Sequence, residues 1–208
     1  MIAAGIVVRE LGRVGFEPTW QAMQAFNRGR SERTVDEIWL LEHPPLFTLG
    51  LAGKPEHLLA DIGVPLLKTD RGGQITYHGP GQLIAYLLLD LKRRQLNVRE
   101  LVRRIEAALI CLLEAYGLPA SRLQGAPGVY VRGAKIAALG LRVARGCSSH
   151  GLALNVDMDL SPYAAINPCG YPGMAVTQLR DLLPAADLSD VAERLLAQLR
   201  KQLELDHG

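Results

Sequence analysis

Short apolar runs rich in β-branched residues, each closed off by Gly, Pro or Asn, recur along this chain at residues 5–11, 37–42, 83–90, 129–132, 135–143 and 151–157. Such runs read as β-strands. Several follow one another with no helix between them, which argues against a doubly wound parallel sheet. Two segments carry helical periodicity. Val98, Leu101, Val102, Ile105, Leu109, Leu112 and Leu113 fall on one face of the first, and Val191, Leu195, Leu196 and Leu199 on one face of the second. Each opens with capping-box spacing, Asn97 with Glu100 and Asp190 with Glu193, and Gly117 suits the C-terminal cap of the first. A third helix is expected to start near Pro18 and to send Trp20, Met23 and Phe26 toward the core. The expected fold is therefore α+β, a mixed β-sheet flanked by helices, in a single domain over residues 1–208.

Composition narrows the function classes. The 23 basic and 21 acidic residues leave a formal charge of +2, too little for a global field that would draw the molecule to nucleic acid or a membrane. The longest apolar run, residues 83–89, is far short of the ~20 residues of a membrane span. The first residues, MIAAGIVVRELGR, have no basic segment before the apolar stretch and run into charges where a signal peptide would offer small cleavage residues. A cytoplasmic protein is expected. Three cysteines, Cys111, Cys147 and Cys169, are an odd number without CxxC spacing, which suits neither a disulfide framework nor a structural zinc site. No metal is expected, and one thiol is left as a candidate for chemistry.

Three segments could carry it. RGGQITYHGPGQ at 71–82 reads as a glycine-rich loop between strands that lets backbone approach a ligand, and it matches neither GxxxxGK[ST] nor GxGxxG. AINPCGYPG at 165–173 would hold Cys169 on a rigid, accessible loop, where reactive thiols are found. Cys111 lies within the helical pattern as a small buried thiol, whereas Cys147, in RGCSSH, is a weaker rival to Cys169. GAKIAALG at 133–140 opens on Lys135 in an otherwise uncharged stretch, and burial would lower a lysine pKa enough for it to act as a base. The bland alternative leaves its ammonium in water at a strand end. His78 and His150 stay open between structural and catalytic roles.

Taken together, EHPPLFTLG at 42–50, RGGQITYHGPGQ, GAKIAALGLRV, SSHGLALNV, NPCG and VTQL occur in an order that resembles the octanoyltransferases of bacterial lipoate biosynthesis, a family related in fold to the lipoate and biotin protein ligases. The resemblance implies a biotin/lipoate protein ligase-like fold. It also implies that Cys169 is an acyl-thioester nucleophile and Lys135 its acid–base partner. The acyl pocket would be lined by Arg71, Gly72, Gly73, Gln74, Ile75, Thr76, Tyr77 and His78, by a turn at Ala138, Leu139 and Gly140, and by Gly151, Leu152 and Ala153. Octanoyl-acyl carrier protein would be the donor. Lipoyl domains of 2-oxoacid dehydrogenase E2 subunits and the glycine cleavage H protein would be acceptors, with no cofactor, metal or ATP and a monomeric enzyme. Leu139, Leu152 and Leu154 are available for an apolar slot, and the basic residues Lys92, Arg93, Arg94, Arg99, Arg103 and Arg104 either guide an acidic carrier or form a solvated face. Rival readings are an ATP-dependent ligase on the same fold, a catalytically silent acyl- or carrier-binding module, and a cysteine hydrolase pairing Cys169 with a histidine.

Overall fold

The computed structural model describes residues 5–204; residues 1–4, the start of the stretch read above as unlike a signal peptide, and 205–208 lie outside it. Ten strands form two sheets. The larger combines β1 (Ile6–Arg13), β2 (Asp36–Glu42), β6 (Gln82–Leu88), β7 (Ala120–Leu123), β8 (Ala126–Val131), β9 (Ala134–Ala144) and β10 (Cys147–Asn155) in the order β1-β2-β6-β10-β9-β8-β7. Its β1–β2 pair is parallel and the other pairs are antiparallel, so the sheet is mixed. The smaller sheet orders β4 (Leu66–Lys68), β3 (Leu46–Leu49) and β5 (Ile75–His78).

Helices α2 (Val98–Ala115) and α4 (Leu188–Glu204) cover one face of the large sheet, burying Leu101, Ile105, Leu109, Leu195 and Leu199 in one core with Leu83, Ala85, Leu87 and Leu154. On the opposite face, helix α1 (Phe16–Arg28) places Met23 beside Trp39, Ile84 and Tyr86. The small sheet has a core of its own, with Phe47, Ile75, Tyr77 and Tyr163. Because β2 and β6 are buried on both faces, their sequences are continuous apolar runs, not alternating ones. The short helix α3 (Leu179–Leu182) completes the chain order.

Local chemistry explains the helix ends. The Asn97 side chain accepts from the Glu100 N–H at 2.9 Å, but the Glu100 carboxylate turns to Arg103 and Arg104, so only half of the expected capping box forms. Gly117 follows α2 with φ +72°. Helix α4 starts a turn earlier than its periodicity predicts. Asp187 caps it through the Ser189 and Asp190 N–H groups, while Asp190 accepts from Tyr116 and Arg194.

One segment expected to be irregular is a strand. Ile75–His78, read as loop, pairs antiparallel with Leu46–Leu49, and the glycines on either side supply the turns. Ala138, Leu139 and Gly140, a turn by the resemblance but part of the apolar run at 135–143, lie inside β9 as that run predicts. Glycine is present at 140 because a Cβ would stand 3.0 Å from Arg71 Cδ and 3.1 Å from the Gly72 carbonyl.

Candidate active site

Cys169 lies in a short 3-10 turn, Pro168–Gly170, with φ +56°, a left-handed conformation that a non-glycine residue keeps only where its surroundings impose it. Here the Asn167 N–H donates to the His57 carbonyl at 2.8 Å and the Gly170 N–H to the Asn167 carbonyl at 2.9 Å. Gly170, at φ +79°, is itself confined, since a Cβ would meet Gln74 Cγ at 3.1 Å and His57 Nε2 at 3.2 Å. Its N–H is already engaged, which removes it from the donors that could serve an oxyanion.

Lys135 reaches the same point from β9. The Lys135 N–H donates to the Ala175 carbonyl at 2.8 Å and the Thr177 N–H to the Lys135 carbonyl at 2.9 Å. This parallel bridge ties the segment following Cys169 to the strand that carries the lysine. Lys135 Nζ then lies 2.8 Å from Cys169 Sγ, 3.1 Å from the Pro127 carbonyl and 5.2 Å from the Tyr130 ring centroid, and the residue is only 4% exposed. Gly128, at φ +141°, makes room: a Cβ there would sit 2.6 Å from the Ala137 carbonyl and 3.1 Å from Lys135 Cε. Glu106 of α2 holds this backbone by accepting the Gly128 N–H at 3.0 Å.

Burial acts to lower the Lys135 pKa, but the charge and hydrogen bond of Cys169, with help from Tyr130, outweigh it and the net direction is upward. The expected downward shift is thus reversed while the sulfur is free. The reason is the sulfur itself, a partner that a lysine considered alone does not have.

A narrow apolar slot with a cavity volume of about 50 Å³ opens beside Cys169. The Ala138, Gly140, Gly151 and Ala153 positions of β9 and β10 pave it, and the Tyr86 and Ile84 side chains of β6 close its far side with Phe16 and His150. Arg71, Gly73, Gln74, Ile75, Thr76 and His78 roof it, and Leu139 and Leu152 also border it. Other expected lining residues lie elsewhere. Tyr77 points into the core of the small sheet, as alternation along β5 requires, and Leu154 belongs to the helix-covered core. Gly72 faces an outer groove that also reaches Cys169.

Arg71 knits the roof together. Its guanidinium donates to the Thr48 hydroxyl and carbonyl and to the carbonyls of Gly72 and Gln74, with no carboxylate among these partners. Burial lowers its pKa to about 10, which still leaves a cation near the slot mouth. The Gly72 N–H donates to the Leu141 carbonyl at 2.8 Å, docking the roof onto the part of β9 that extends beyond its pairing with β8.

The remaining polar residues sort themselves by their partners. His78 donates from Nδ1 to Gln82 Oε1 at 2.7 Å and accepts at Nε2 from the Thr48 hydroxyl at 3.2 Å; burial pushes its pKa down to about 3. Among the described residues Lys135 is the side chain hydrogen-bonded to Cys169, and no histidine is. Burial raises the Cys147 pKa, which disfavours its thiolate. The basic run is only partly offset, since Arg93 and Arg94 share Asp36 with Arg30 and Arg103 and Arg104 share Glu100, two carboxylates among five guanidiniums. Phe16, Tyr86, Gly128 and Thr48 escaped the sequence reading. Only Gly128, beside a turn and facing a lysine strand, carries a local signal.

Comparison with known proteins adds an independent line. Residues 17–200 match the family model described as lipoyl protein ligase A/B catalytic domain. An octanoyltransferase of Thiobacillus denitrificans is 68% identical over 177 residues, spanning 85% of this chain and 81% of the relative. One from Aromatoleum aromaticum is 63% identical over 198 residues, spanning 95% and 86%. Among solved structures, a bipartite lipoate protein ligase from Thermoplasma acidophilum, described with its E2 lipoyl domain, superposes with a TM-score of 0.74 at 16% identity, over 98% of this chain and 86% of that one.

Proposed function

The chain belongs to the lipoyl protein ligase A/B catalytic domain family and, within it, to the octanoyltransferases, and from that premise we propose that it carries octanoyl groups on Cys169. It is an acyltransferase of lipoate biosynthesis. In the proposed reaction octanoyl-acyl carrier protein is the donor, and the acceptor is a lysine of lipoyl domains in 2-oxoacid dehydrogenase E2 subunits and the glycine cleavage H protein. The chain works as one catalytic domain without ATP. The observation that carries this reading is the 2.8 Å contact between Lys135 Nζ and Cys169 Sγ at the mouth of an apolar slot.

The Lys135 ammonium supplies the counter-charge that a thiolate needs, and the thiolate attacks the donor thioester carbonyl. The carrier's thiol leaves with the Lys135 proton, so the products are acyl-Cys169, free carrier thiol and a neutral lysine. The shift in Lys135 now works for the second step. Acylation removes the sulfur's charge, which had raised the pKa, and leaves burial, which lowers it. Lys135 therefore becomes a base when the acceptor amine arrives. The acceptor lysine arrives as an ammonium and loses one proton to water; as the free amine attacks, a second proton passes to Lys135, the amide forms, and the thiolate leaves to restore the ion pair.

The test is intact-protein mass spectrometry after mixing the enzyme with octanoyl-carrier protein, followed by a lipoyl domain without ATP. A hydroxylamine-labile octanoyl adduct on Cys169, absent in Cys169→Ser and lost as the lipoyl domain gains the same mass, is expected. Transfer that needs ATP and survives Cys169→Ser would replace this reading with that of a ligase.

A further inference from the structure

His150 stands where the slot closes, and two separate features single it out. Its neighbours Leu152 and Leu154 point into the helix-covered core, so a regular strand would send His150 there as well. Instead its φ of +57° turns the imidazole onto the opposite face, where it stacks 6.4 Å from Phe16 and lies edge-on 5.8 Å from Tyr86. A backbone held in this region by a non-glycine residue persists only where something determines it.

The second feature is an unpaired nitrogen. His150 is 1% exposed and its Nε2–H donates to Asp70 Oδ1 at 2.9 Å, an oxygen that also accepts from Trp20 Nε1 at 2.8 Å. With Nε2 engaged by Asp70, the ring nitrogen left to meet a ligand is Nδ1. Among the described residues this is the buried side-chain polar atom without a partner. The neighbouring imidazole of His43 shows the contrast, donating to the Val14 carbonyl at 2.7 Å and accepting from the Tyr86 hydroxyl at 2.7 Å. A buried acceptor left alone in an otherwise satisfied network implies a donor that comes with the ligand.

We propose that His150 Nδ1 is a hydrogen-bond acceptor for the ω-end of the acyl group, fitting this protein to transfer chains that end in a hydroxyl as well as plain octanoyl chains. The inference rests on the slot being the acyl site. From the Cys169 end the slot crosses β9 and β10 to β6, two interstrand spacings or about 10 Å, a reach comparable to that of an extended eight-carbon chain. A hydroxyl entering a wholly apolar pocket would lose its water without compensation, whereas a site that accepts its hydrogen keeps it.

The experiment uses carrier-protein thioesters in pairs of equal length, octanoyl against 7-hydroxyheptanoyl and nonanoyl against 8-hydroxyoctanoyl, so that CH3 is exchanged for OH at constant size. The wild-type enzyme is expected to use at least one hydroxy chain with kcat/KM within about tenfold of its methyl partner, and His150→Leu to lower that ratio a further ~30-fold or more. The ratio, not the absolute rate, is the readout. Wild-type enzyme that rejects both hydroxy chains by more than about 100-fold overturns the proposal even if the variant does not fold, and so does a ratio unchanged in His150→Leu. Absence of octanoyl transfer by the wild type would instead overturn the acyl-site reading on which the proposal stands.

Discussion

Gly128 and Lys135 face each other so closely that the lysine's position depends on a side chain that is not there. Gly128→Ala places a methyl 3.1 Å from Lys135 Cε and 2.6 Å from the Ala137 carbonyl, on backbone with φ +141°. Displacing Lys135 by even ~1 Å is expected to reduce kcat about 100-fold, more than the accompanying fall in stability explains. Steady-state kinetics beside a denaturation curve separates the two; unchanged kcat in a folded variant would mean that Lys135 does not need this seat. His78 makes a prediction about stability. In the folded protein it binds a proton only near pH 3, and in the unfolded chain near its ordinary value of 6.5. Between those values the unfolded state binds more protons, so stability falls as pH falls. By pH 5 the loss from this residue is about 2 kcal/mol. Guanidinium titrations of wild type and His78→Gln at pH 7 and pH 5 check it, with the variant expected to show the smaller decline; equal declines would remove His78 as the cause.

At the scale of elements, β2 is tied to the connection between β6 and α2 by one carboxylate. Asp36 accepts from Arg30 at 3.0 Å, Arg93 at 2.6 Å and Arg94 at 2.5 Å, and from the Asp90 N–H at 2.9 Å, while almost fully buried. Asp36→Ala leaves three guanidiniums without this partner and is expected to cost about 3–5 kcal/mol in equilibrium denaturation. A loss below ~1 kcal/mol would reassign the cluster to a surface role. The elements that were legible in the sequence are those whose residues state their own pattern: the apolar runs of β2, β6, β9 and β10, and the heptad-like faces of α2 and α4. The small sheet was not legible. Its strands are three or four residues long, and β5 sits between glycines that read as loop, so only pairing with Leu46–Leu49 makes it a strand. The site divides the same way. Cys169 and Lys135 stand out as residue types in unusual company, but their meeting depends on the Ala175–Thr177 bridge, a contact between backbones that side-chain identity does not record.

For the whole molecule, the charge balance predicts how it meets a partner. The formal charge of +2 is small, but Asp36 and Glu100 are two carboxylates shared by Arg30, Arg93, Arg94, Arg103 and Arg104, so a local positive excess remains around the start of α2. Transfer from the proposed acidic carrier is therefore expected to slow by more than about tenfold between low and high salt. Stopped-flow transfer rates across a salt series measure this, and a flat profile would mean that the carrier docks without this patch. The Lys135–Cys169 contact also spans 34 residues, and the strand segment that locks it comes later still in the chain. During synthesis the lysine is made first and the thiol follows, with the locking segment last. A growing chain thus exposes an ordinary cysteine, and the close ammonium appears only once the segment through Thr177 has been made and folded back, so an incomplete copy released early would exchange with thioesters only at the slow rate of a free thiol.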